Sequence, residues 1–325
     1  MSKRLSILAV LGLIASVSVA EARQLQFAYA SNATPTKEAM AKLGELLAEK
    51  TNGELTVTYF PDSQLGGERE LVEMVQGGLL DITKVSGGLL ESFSPIYGIF
   101  SMPYLFNSQQ HFYSVMDDPA IMGPIYESTA GTNMLGLTYY DSGARNFYTA
   151  KKPVKSAADL KGLKIRVLQS PTSIKMVQML GAAPIAMSQD EVYTSIQQGV
   201  LDGAENNEFA LTVARHAEVA KYYSYDMHTR IPDIVLISKR TFDSLSPDQQ
   251  KAVREAARES TEYQKSLWNA AVEAARKESK EKFGVEFFNP DVSEFQAAVA
   301  PMYDELKADP AKNTVFQQIR AKADQ

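Results

Sequence analysis

Arg166 is the residue whose surroundings most strongly suggest chemistry, because it interrupts an otherwise apolar strand pattern between Lys164 and Leu168. An arginine at this place has two interpretations: it faces water at a strand edge, or it points into a cleft and binds a carboxylate. The second is chemically specific, since a guanidinium presents parallel N–H donors that match both carboxylate oxygens. A second polar segment, Leu201–Asn207, ends in two asparagines that can donate and accept hydrogen bonds. If Arg166 points into a cleft, the two segments are candidates for a site that binds a carboxylate.

The same sequence lacks the residue patterns that most catalytic and metal sites require. Its three histidines are far apart, and there is no cysteine, no H-E-x-x-H motif and no glycine-rich phosphate-binding loop. The adjacent carboxylates Asp190 and Glu191 could transfer protons, but Ser188 and Glu191 match a helix capping box, which already accounts for Glu191. We therefore predict a binding protein that is not an enzyme, with no catalytic residue, no bound metal ion and no cofactor. A secreted hydrolase or lyase that acts on sugar acids is the alternative, and product analysis would distinguish it.

The N-terminus and the charge indicate where the protein works. Lys3 and Arg4 precede an apolar stretch from Leu5 to Ala20, and small residues follow where a signal peptidase would cut. The stretch is shorter than the roughly 20 residues that span a bilayer. Residues 1–22 are therefore predicted to be a secretory signal peptide, and the mature protein is expected in the periplasm. The formal net charge of −6, without a basic stripe, argues against nucleic acid and anionic membranes as partners.

The order of predicted helices and strands indicates an α/β protein. Helical spacing of apolar residues predicts a helix over Glu68–Val75, and a strand over Leu80–Val85 follows it. Two further strands, Met134–Tyr140 and Arg145–Thr149, are predicted to be joined at Asp141–Gly143. Alternating strands and helices are typical of a layered α/β domain with a largely parallel sheet. A mature chain of about 300 residues usually divides into two domains.

The most unusual predicted element is a very long helix near the C-terminus. Ser246–Gln249 matches a capping box with proline at the first helical position, and no glycine or proline interrupts the pattern up to Phe283. Most helices in globular proteins have about 8–20 residues. A helix of this length exceeds the width of one small domain, so we expect it to run along two.

Five short motifs occur in an order that resembles one family. They are P-x-x-Q-L-G at 61–66, K-G-L-K-I-R-V at 161–167, L-G-A-x-P at 180–184, E-V-Y-x-x-I-Q-x-G at 191–199 and D-G-x-E-N at 202–206. In this order the chain resembles the solute-binding proteins of TRAP transporters, the tripartite ATP-independent periplasmic carriers. Each motif alone is weak, but five in sequence are specific, and the resemblance covers essentially the whole mature chain.

The resemblance implies a two-domain periplasmic binding protein of the Venus-flytrap type, in which two α/β domains close on a cleft and the long helix spans both. It implies that the chain crosses between the domains more than once. Residues 23–143 and 232–271 are then expected in domain I, and residues 144–231 and 272–325 in domain II. The resemblance also implies a monomer that delivers its ligand to the membrane permease subunits of the transporter.

The resemblance also assigns particular residues to the cleft. Arg166 matches the family's carboxylate-clamping arginine, Asn206 matches the second carboxylate contact, and Glu68 matches an acidic position near the ligand's polar end. Arg145 falls one residue out of register with the family's second cleft arginine. The remaining expected ligand contacts are Asn207, Gln189, Ser86 and Asn32. For Asn32 and Ser86, a loop residue that bonds its own backbone is the competing interpretation.

The expected lining favours a hydroxyl-rich acid. Gln189 stands where some members of the family have an aromatic that stacks on the ligand, and Asn207 stands where many have proline. Side chains that both donate and accept suit vicinal hydroxyls, whereas a plain dicarboxylate would need mainly positive donors. We therefore expect a sugar acid such as D-glucuronate or D-galacturonate. A C4-dicarboxylate or another simple organic acid is the alternative ligand, and a sensor that docks on a receptor is the alternative role.

Overall fold

The computed structural model describes residues 22–30 and 32–323 and contains two β-sheets flanked by helices. The predicted α/β class is therefore confirmed. The predicted signal peptide, residues 1–22, lies outside the described residues except for Ala22. Within the described ranges, no helix is long and apolar enough to cross a membrane.

Both sheets are mixed, and each has one antiparallel strand among the described residues. The strands are β1 (Arg23–Tyr29), β2 (Leu55–Phe60), β3 (Ile82–Ser86), β4 (Met134–Tyr140), β5 (Arg145–Thr149), β6 (Lys164–Val167), β7 (Ala183–Ala186), β8 (Gly203–Asn206), β9 (Tyr222–Thr229), β10 (Asp233–Ser238) and β11 (Glu286–Phe288). The first sheet has the order β2-β1-β3-β10-β4, and the second has the order β11-β9-β5-β8-β6-β7. Strands β1, β2 and β3 are parallel, but β10 is antiparallel to both β3 and β4. Strand β4 therefore runs in the same direction as β1, β2 and β3. In the second sheet β5 is antiparallel to β8 and β9, whereas the other five strands run in one direction. The prediction of a largely parallel sheet is confirmed.

The helices cover the sheets and cap as their sequences predict. They are α1 (Thr34–Lys50), α2 (Glu68–Gln76), α3 (Gly87–Leu90), α4 (Gln109–Met116), α5 (Pro119–Glu127), α6 (Pro171–Met179), α7 (Val192–Gln197), α8 (Phe209–Thr212), α9 (Lys239–Asp243), α10 (Pro247–Phe283), α11 (Val292–Val299), α12 (Pro301–Ala308) and α13 (Pro310–Ala321). Ser170 Oγ accepts a hydrogen bond from Ser173 N at the start of α6. The predicted capping box of Ser188 and Glu191 is present in the 3₁₀ turn before α7.

The chain crosses between the two sheets at two short segments. Strand β4 lies in the first sheet and β5 in the second, although only residues 141–144 separate them. Strands β9 and β10 also lie in different sheets, and residues 230–232 join them. Arg230 Nη1 lies 2.8 Å from Asp141 Oδ1, so an ion pair ties the two crossing segments together. Asp141 is fully buried and also accepts hydrogen bonds from Tyr113 Oη and Gln109 Nε2.

The long helix α10 connects the two halves of the molecule, as the sequence predicted. It has 37 residues, which corresponds to a length of about 55 Å. Its first half packs on α1 and β4, where Ala252, Val253 and Ala256 are buried. Its second half reaches α8, and the rings of Trp268 and Phe209 lie 5.2 Å apart.

Candidate ligand-binding site

A cavity of about 200 Å³ lies between the two sheets, and all eight residues predicted from the sequence line it. Residues from the parts of the chain that form each of the two sheets line it. The predicted lining residues are Asn32, Glu68 and Ser86 from the part of the chain that forms the first sheet, and Arg145, Arg166, Gln189, Asn206 and Asn207 from the part that forms the second. The structure therefore brings the predicted segments together, and their roles as ligand contacts remain a prediction.

Arg166 is a buried cation that faces the cavity without a carboxylate partner. It lies on β6 between β7 and β8 and is 3% exposed. Its Nε and Nη2 atoms donate to Met187 O at 3.0 and 2.8 Å, and Nη1 donates to Gln189 Oε1 at 3.0 Å. In the described part of the chain no carboxylate forms an ion pair with it, and one N–H on each terminal nitrogen has no protein acceptor. Burial lowers the pKa of Arg166; the charge of Glu205 opposes this effect and the charge of Arg145 adds to it. Such a group favours binding of an anion.

Arg145, by contrast, is neutralised within the protein. Its Nε and Nη2 atoms both donate to the carboxylate of Glu205, which is 2% exposed, and Nη2 also donates to Glu205 O at 2.7 Å. Its Nη1 donates to Asn206 Oδ1 at 2.9 Å. Most of the guanidinium is thus occupied, and its visible effect is to orient the side chain of Asn206. This role is not apparent from the sequence, in which Arg145 and Glu205 of the D-G-x-E-N motif lie 60 positions apart.

A buried charged chain supports Arg145 from behind. His228 Nδ1 lies 2.7 Å from Asp226 Oδ2, and His228 Nε2 lies 3.3 Å from Glu205 Oε2. Burial alone would lower the pKa of His228, but the two carboxylates raise it to about 9, so the ring is charged at neutral pH and donates from both nitrogens. Burial would likewise raise the pKa of Glu205, but Arg145 and His228 bring it down to about 2. The position of Asn206 therefore depends on a continuous set of ionised, buried groups.

The opposite wall of the cavity carries two carboxylates and one lysine. Lys84 Nζ lies 3.0 Å from Asp233 Oδ2 and 3.4 Å from Glu68 Oε1. Glu68 Oε1 also accepts a hydrogen bond from Ser86 N at 3.1 Å. Burial raises the pKa of Glu68 and the charge of Asp233 adds to this effect, whereas Lys84 opposes it. Lys84 and Asp233 were not among the predicted residues, although each is a charged residue in an apolar strand, as Arg166 is.

Two of the predicted residues use their side chains mainly on the backbone. Asn207 Nδ2 donates to Ser142 O at 2.7 Å, and Asn207 Oδ1 accepts from Phe209 N at 3.0 Å. Asn32 Nδ2 donates to Ala30 O, so this loop residue bonds its own backbone, as the competing interpretation predicts. Both side chains therefore shape loops at the cavity, and their polar atoms are less available to a ligand than those of Glu68 or Asn206.

The two walls also touch at the rim of the cavity. Arg69 Nε donates to Gln169 Oε1 at 2.9 Å, and Ser63 Oγ donates to Asp190 Oδ2 at 2.9 Å. In each pair one residue follows a strand of the first sheet and the other follows a strand of the second. The cavity is therefore bounded by direct contacts between the two halves of the chain.

Comparison with known proteins identifies the family. The profile of the DctP family, described as bacterial extracellular solute-binding protein, family 7, matches residues 27–309. The chain belongs to this family. A protein of Salmonella typhimurium, YiiZ, is 55% identical to it over 98% of this chain and 97% of its own length. The resemblance predicted from the five motifs is thereby confirmed.

Two similar solved structures hold sugar acids. A TRAP periplasmic solute-binding protein of Anaerococcus prevotii with bound α/β-D-glucuronate is 38% identical, with a TM-score of 0.90 over 93% of this chain and 98% of its own. Another, from Xanthobacter autotrophicus with bound β-D-galacturonate, is 39% identical, with a TM-score of 0.88 over 92% of this chain and 99% of its own. These two acids differ in configuration at C4, so overall similarity does not distinguish between them.

Proposed function

We propose that this solute-binding protein is the periplasmic substrate-binding subunit of a TRAP transporter and captures a sugar acid such as D-glucuronate or D-galacturonate. This proposal rests on the distribution of charged side chains over the two walls of the cavity. One wall holds Arg166, a buried cation that forms no ion pair within residues 22–30 and 32–323, and the other holds the carboxylates of Glu68 and Asp233. A molecule with one carboxylate and a polyhydroxyl body satisfies both walls, since its carboxylate neutralises Arg166 and its hydroxyls donate to the acidic groups.

The ligand carboxylate is placed against Arg166 and Asn206. Arg166 offers one N–H from each terminal nitrogen, which is the parallel pair that matches two carboxylate oxygens. Asn206 Nδ2 is 3.4 Å from Gln189 Oε1, a long contact that leaves this amide able to donate to the ligand. Arg145 holds the other end of the same amide. Exclusion of water from the cavity strengthens each of these charge-assisted bonds.

The acidic wall disfavours the alternative ligand, a C4-dicarboxylate. A second carboxylate on the ligand would approach Glu68 and Asp233, which both contact Lys84. Like charges brought together in a desolvated site cost several kcal/mol. We therefore expect succinate and malate to bind much more weakly than a hexuronate.

Capture is proposed to follow from hinge closure of two domains. The proposed boundaries, residues 23–143 and 232–271 against residues 144–231 and 272–325, are supported by the chain crossings at 141–144 and 230–232. The C-terminal helices contact both halves, since α11 packs on α6 and α13 packs on α5. Closure buries the ligand between the two walls. The closed form then delivers it to the membrane permease.

The same proposal includes export of the protein to the periplasm and release of the bound acid without chemical conversion. Family membership supports a binding role, and the charged start followed by the apolar stretch supports export through a signal peptide. N-terminal sequencing of the protein from the periplasmic fraction should place the mature start after residue 22. Prolonged incubation with D-glucuronate should leave its NMR spectrum unchanged, and the appearance of a product would support a secreted enzyme.

A thermal-shift panel tests the ligand class. The mature protein is first unfolded and refolded to remove trapped ligand, and is then heated with hexuronates, aldonates, C4-dicarboxylates, keto acids and aromatic acids. A ligand at about 100 times its Kd adds roughly 2.7 kcal/mol to the stability, which raises the melting temperature visibly. A shift with D-glucuronate or D-galacturonate and none with succinate or malate supports the proposal. A shift with dicarboxylates alone refutes the sugar-acid assignment.

A further inference from the structure

Lys84 and Asp233 are buried charged residues of the cavity wall that belong to none of the five motifs. Lys84 is 2% exposed on β3, and Asp233 is 7% exposed at the start of β10. Asp233 Oδ2 contacts Lys84 Nζ, while Oδ1 has no protein partner among the described residues. Glu68 Oε1 accepts hydrogen bonds from Lys84 Nζ and from Ser86 N. Glu68 Oε2 has no protein partner among the described residues. Asp233 and Glu68 both line the cavity, so these oxygens can accept hydrogen bonds from the hydroxyls of a ligand bound there.

The group lies across the cavity from Arg166. Strands β3 and β10 belong to the first sheet, whereas β6, which carries Arg166, belongs to the second. In a pyranose hexuronate the carboxylate is attached to C5, and the ring carbon opposite C5 is C2. A hexuronate whose carboxylate binds Arg166 therefore directs its C2 hydroxyl, with a neighbouring hydroxyl at C1 or C3, toward Lys84 and Asp233.

We propose that Asp233 and Lys84, together with Glu68, form a subsite that binds the vicinal hydroxyls at the C2 end of a hexuronate and selects their configuration. This proposal rests on the function proposed above and deepens it. Each hydroxyl donates to one carboxylate oxygen, and the third N–H of the Lys84 ammonium donates to a hydroxyl oxygen between them. Inverting C2 turns its hydroxyl away and leaves a buried carboxylate oxygen unpaired, which is costly.

The same geometry makes the site less selective at C4. C4 is bonded to C5, so its hydroxyl stays beside the ligand carboxylate, near Arg166 and Gln189 on the opposite wall. The amide of Gln189 can donate or accept and can serve either configuration. We therefore expect strict selection at C2 and tolerance at C4, in line with the relatives that hold either D-glucuronate or D-galacturonate.

Isothermal titration calorimetry with three epimers tests the subsite. Wild type should bind D-glucuronate about 10- to 100-fold more tightly than D-mannuronate, the C2 epimer. Asp233→Asn keeps the shape of the side chain but removes the charged acceptor. It should weaken D-glucuronate binding at least about 10-fold and reduce the preference over D-mannuronate to under about threefold. The ratio of D-glucuronate to D-galacturonate affinity should stay within about threefold of the wild-type value.

The control and the outcomes separate this subsite from a structural role. Asp304→Asn removes one charge from the exposed face of α12, away from the cavity, and should leave all three affinities unchanged. Hexuronate binding by wild type without a C2 preference refutes the subsite even if Asp233→Asn fails to fold. An Asp233→Asn variant that changes the C4 ratio instead of the C2 ratio, or changes neither, also refutes it. If wild type binds no hexuronate at all, the proposed function itself fails.

Discussion

Replacing Arg166 should remove most of the ligand affinity and leave the empty protein folded. The guanidinium donates from Nε and from one N–H of Nη2 to Met187 O, and from one N–H of Nη1 to Gln189 Oε1. The two remaining N–H groups are those assigned to the ligand carboxylate. In Arg166→Met, the bound carboxylate would be buried without this partner. The Oε1 atom of the neighbouring Gln189 would also lose the hydrogen bond that it accepts from Arg166.

The magnitude follows from the burial of the pair. Truncating one partner of a buried, hydrogen-bonded charge pair costs about 2–5 kcal/mol, which corresponds to a roughly 30- to several-thousand-fold increase in Kd. The free energy of unfolding of the ligand-free protein should not fall, because the substitution also removes a buried cation without a counter-ion in the described chain. Such a cation is itself destabilising. Arg166→Lys keeps the charge without the parallel donors, so it should recover only part of the affinity.

Calorimetry with D-glucuronate measures both effects when it is combined with thermal unfolding of the ligand-free proteins. Arg258→Met, on the exposed face of α10, is the matched control and should bind normally. A folded Arg166→Met protein whose Kd lies within about threefold of the wild-type value would refute the assignment of Arg166 as the carboxylate clamp.

Three further predictions concern stability. Because the folded-state pKa of His228 is about 9, above the ordinary 6.5, its contribution is complete below pH 6.5 and is lost as the pH rises through 9. Urea unfolding should therefore show a loss of about 3 kcal/mol over this range, and His228→Gln should abolish that pH dependence; a flat wild-type profile contradicts this. Arg230→Met removes the partner of buried Asp141 between the crossing segments and should cost about 3 kcal/mol in urea unfolding, with an unchanged midpoint as the contrary result. Ser246→Ala removes the N-cap of α10 and should cost about 1 kcal/mol, whereas Ser266→Ala in the exposed middle of the same helix should cost nothing; equal effects would refute the capping role.

Local patterns in the sequence were sufficient for the elements and for the segments that meet at the cavity. The boundaries of α10 follow from the capping box at Ser246 and from the run that ends at Gly284, and both signals are local. The five motifs likewise led to Arg166, Asn206 and Glu68, which the structure brings to one cavity. These predictions succeeded because each depends on a few neighbouring residues rather than on the arrangement of distant strands.

The pairing of distant residues could not be predicted in the same way. Strands β4 and β5 are separated by four residues, yet they join different sheets, since a short connection does not specify its partner strand. The neutralisation of Arg145 by Glu205 depends on β5 lying beside β8, a contact between residues 60 positions apart. Lys84 and Asp233 could have been noticed in the sequence, because each is a charged residue in an apolar strand. Their contact with each other depends on the pairing of β3 with β10, which the sequence does not specify.

A crystal structure of the mature protein with D-glucuronate tests the central claim most directly. We expect both carboxylate oxygens at about 2.7–2.9 Å from the terminal nitrogens of Arg166, with Asn206 Nδ2 donating to one of them and the ring hydroxyls directed toward Glu68 and Asp233. A ligand bound in the cavity with its carboxylate on the side of Lys84, and its hydroxyls on Arg166, would contradict the account.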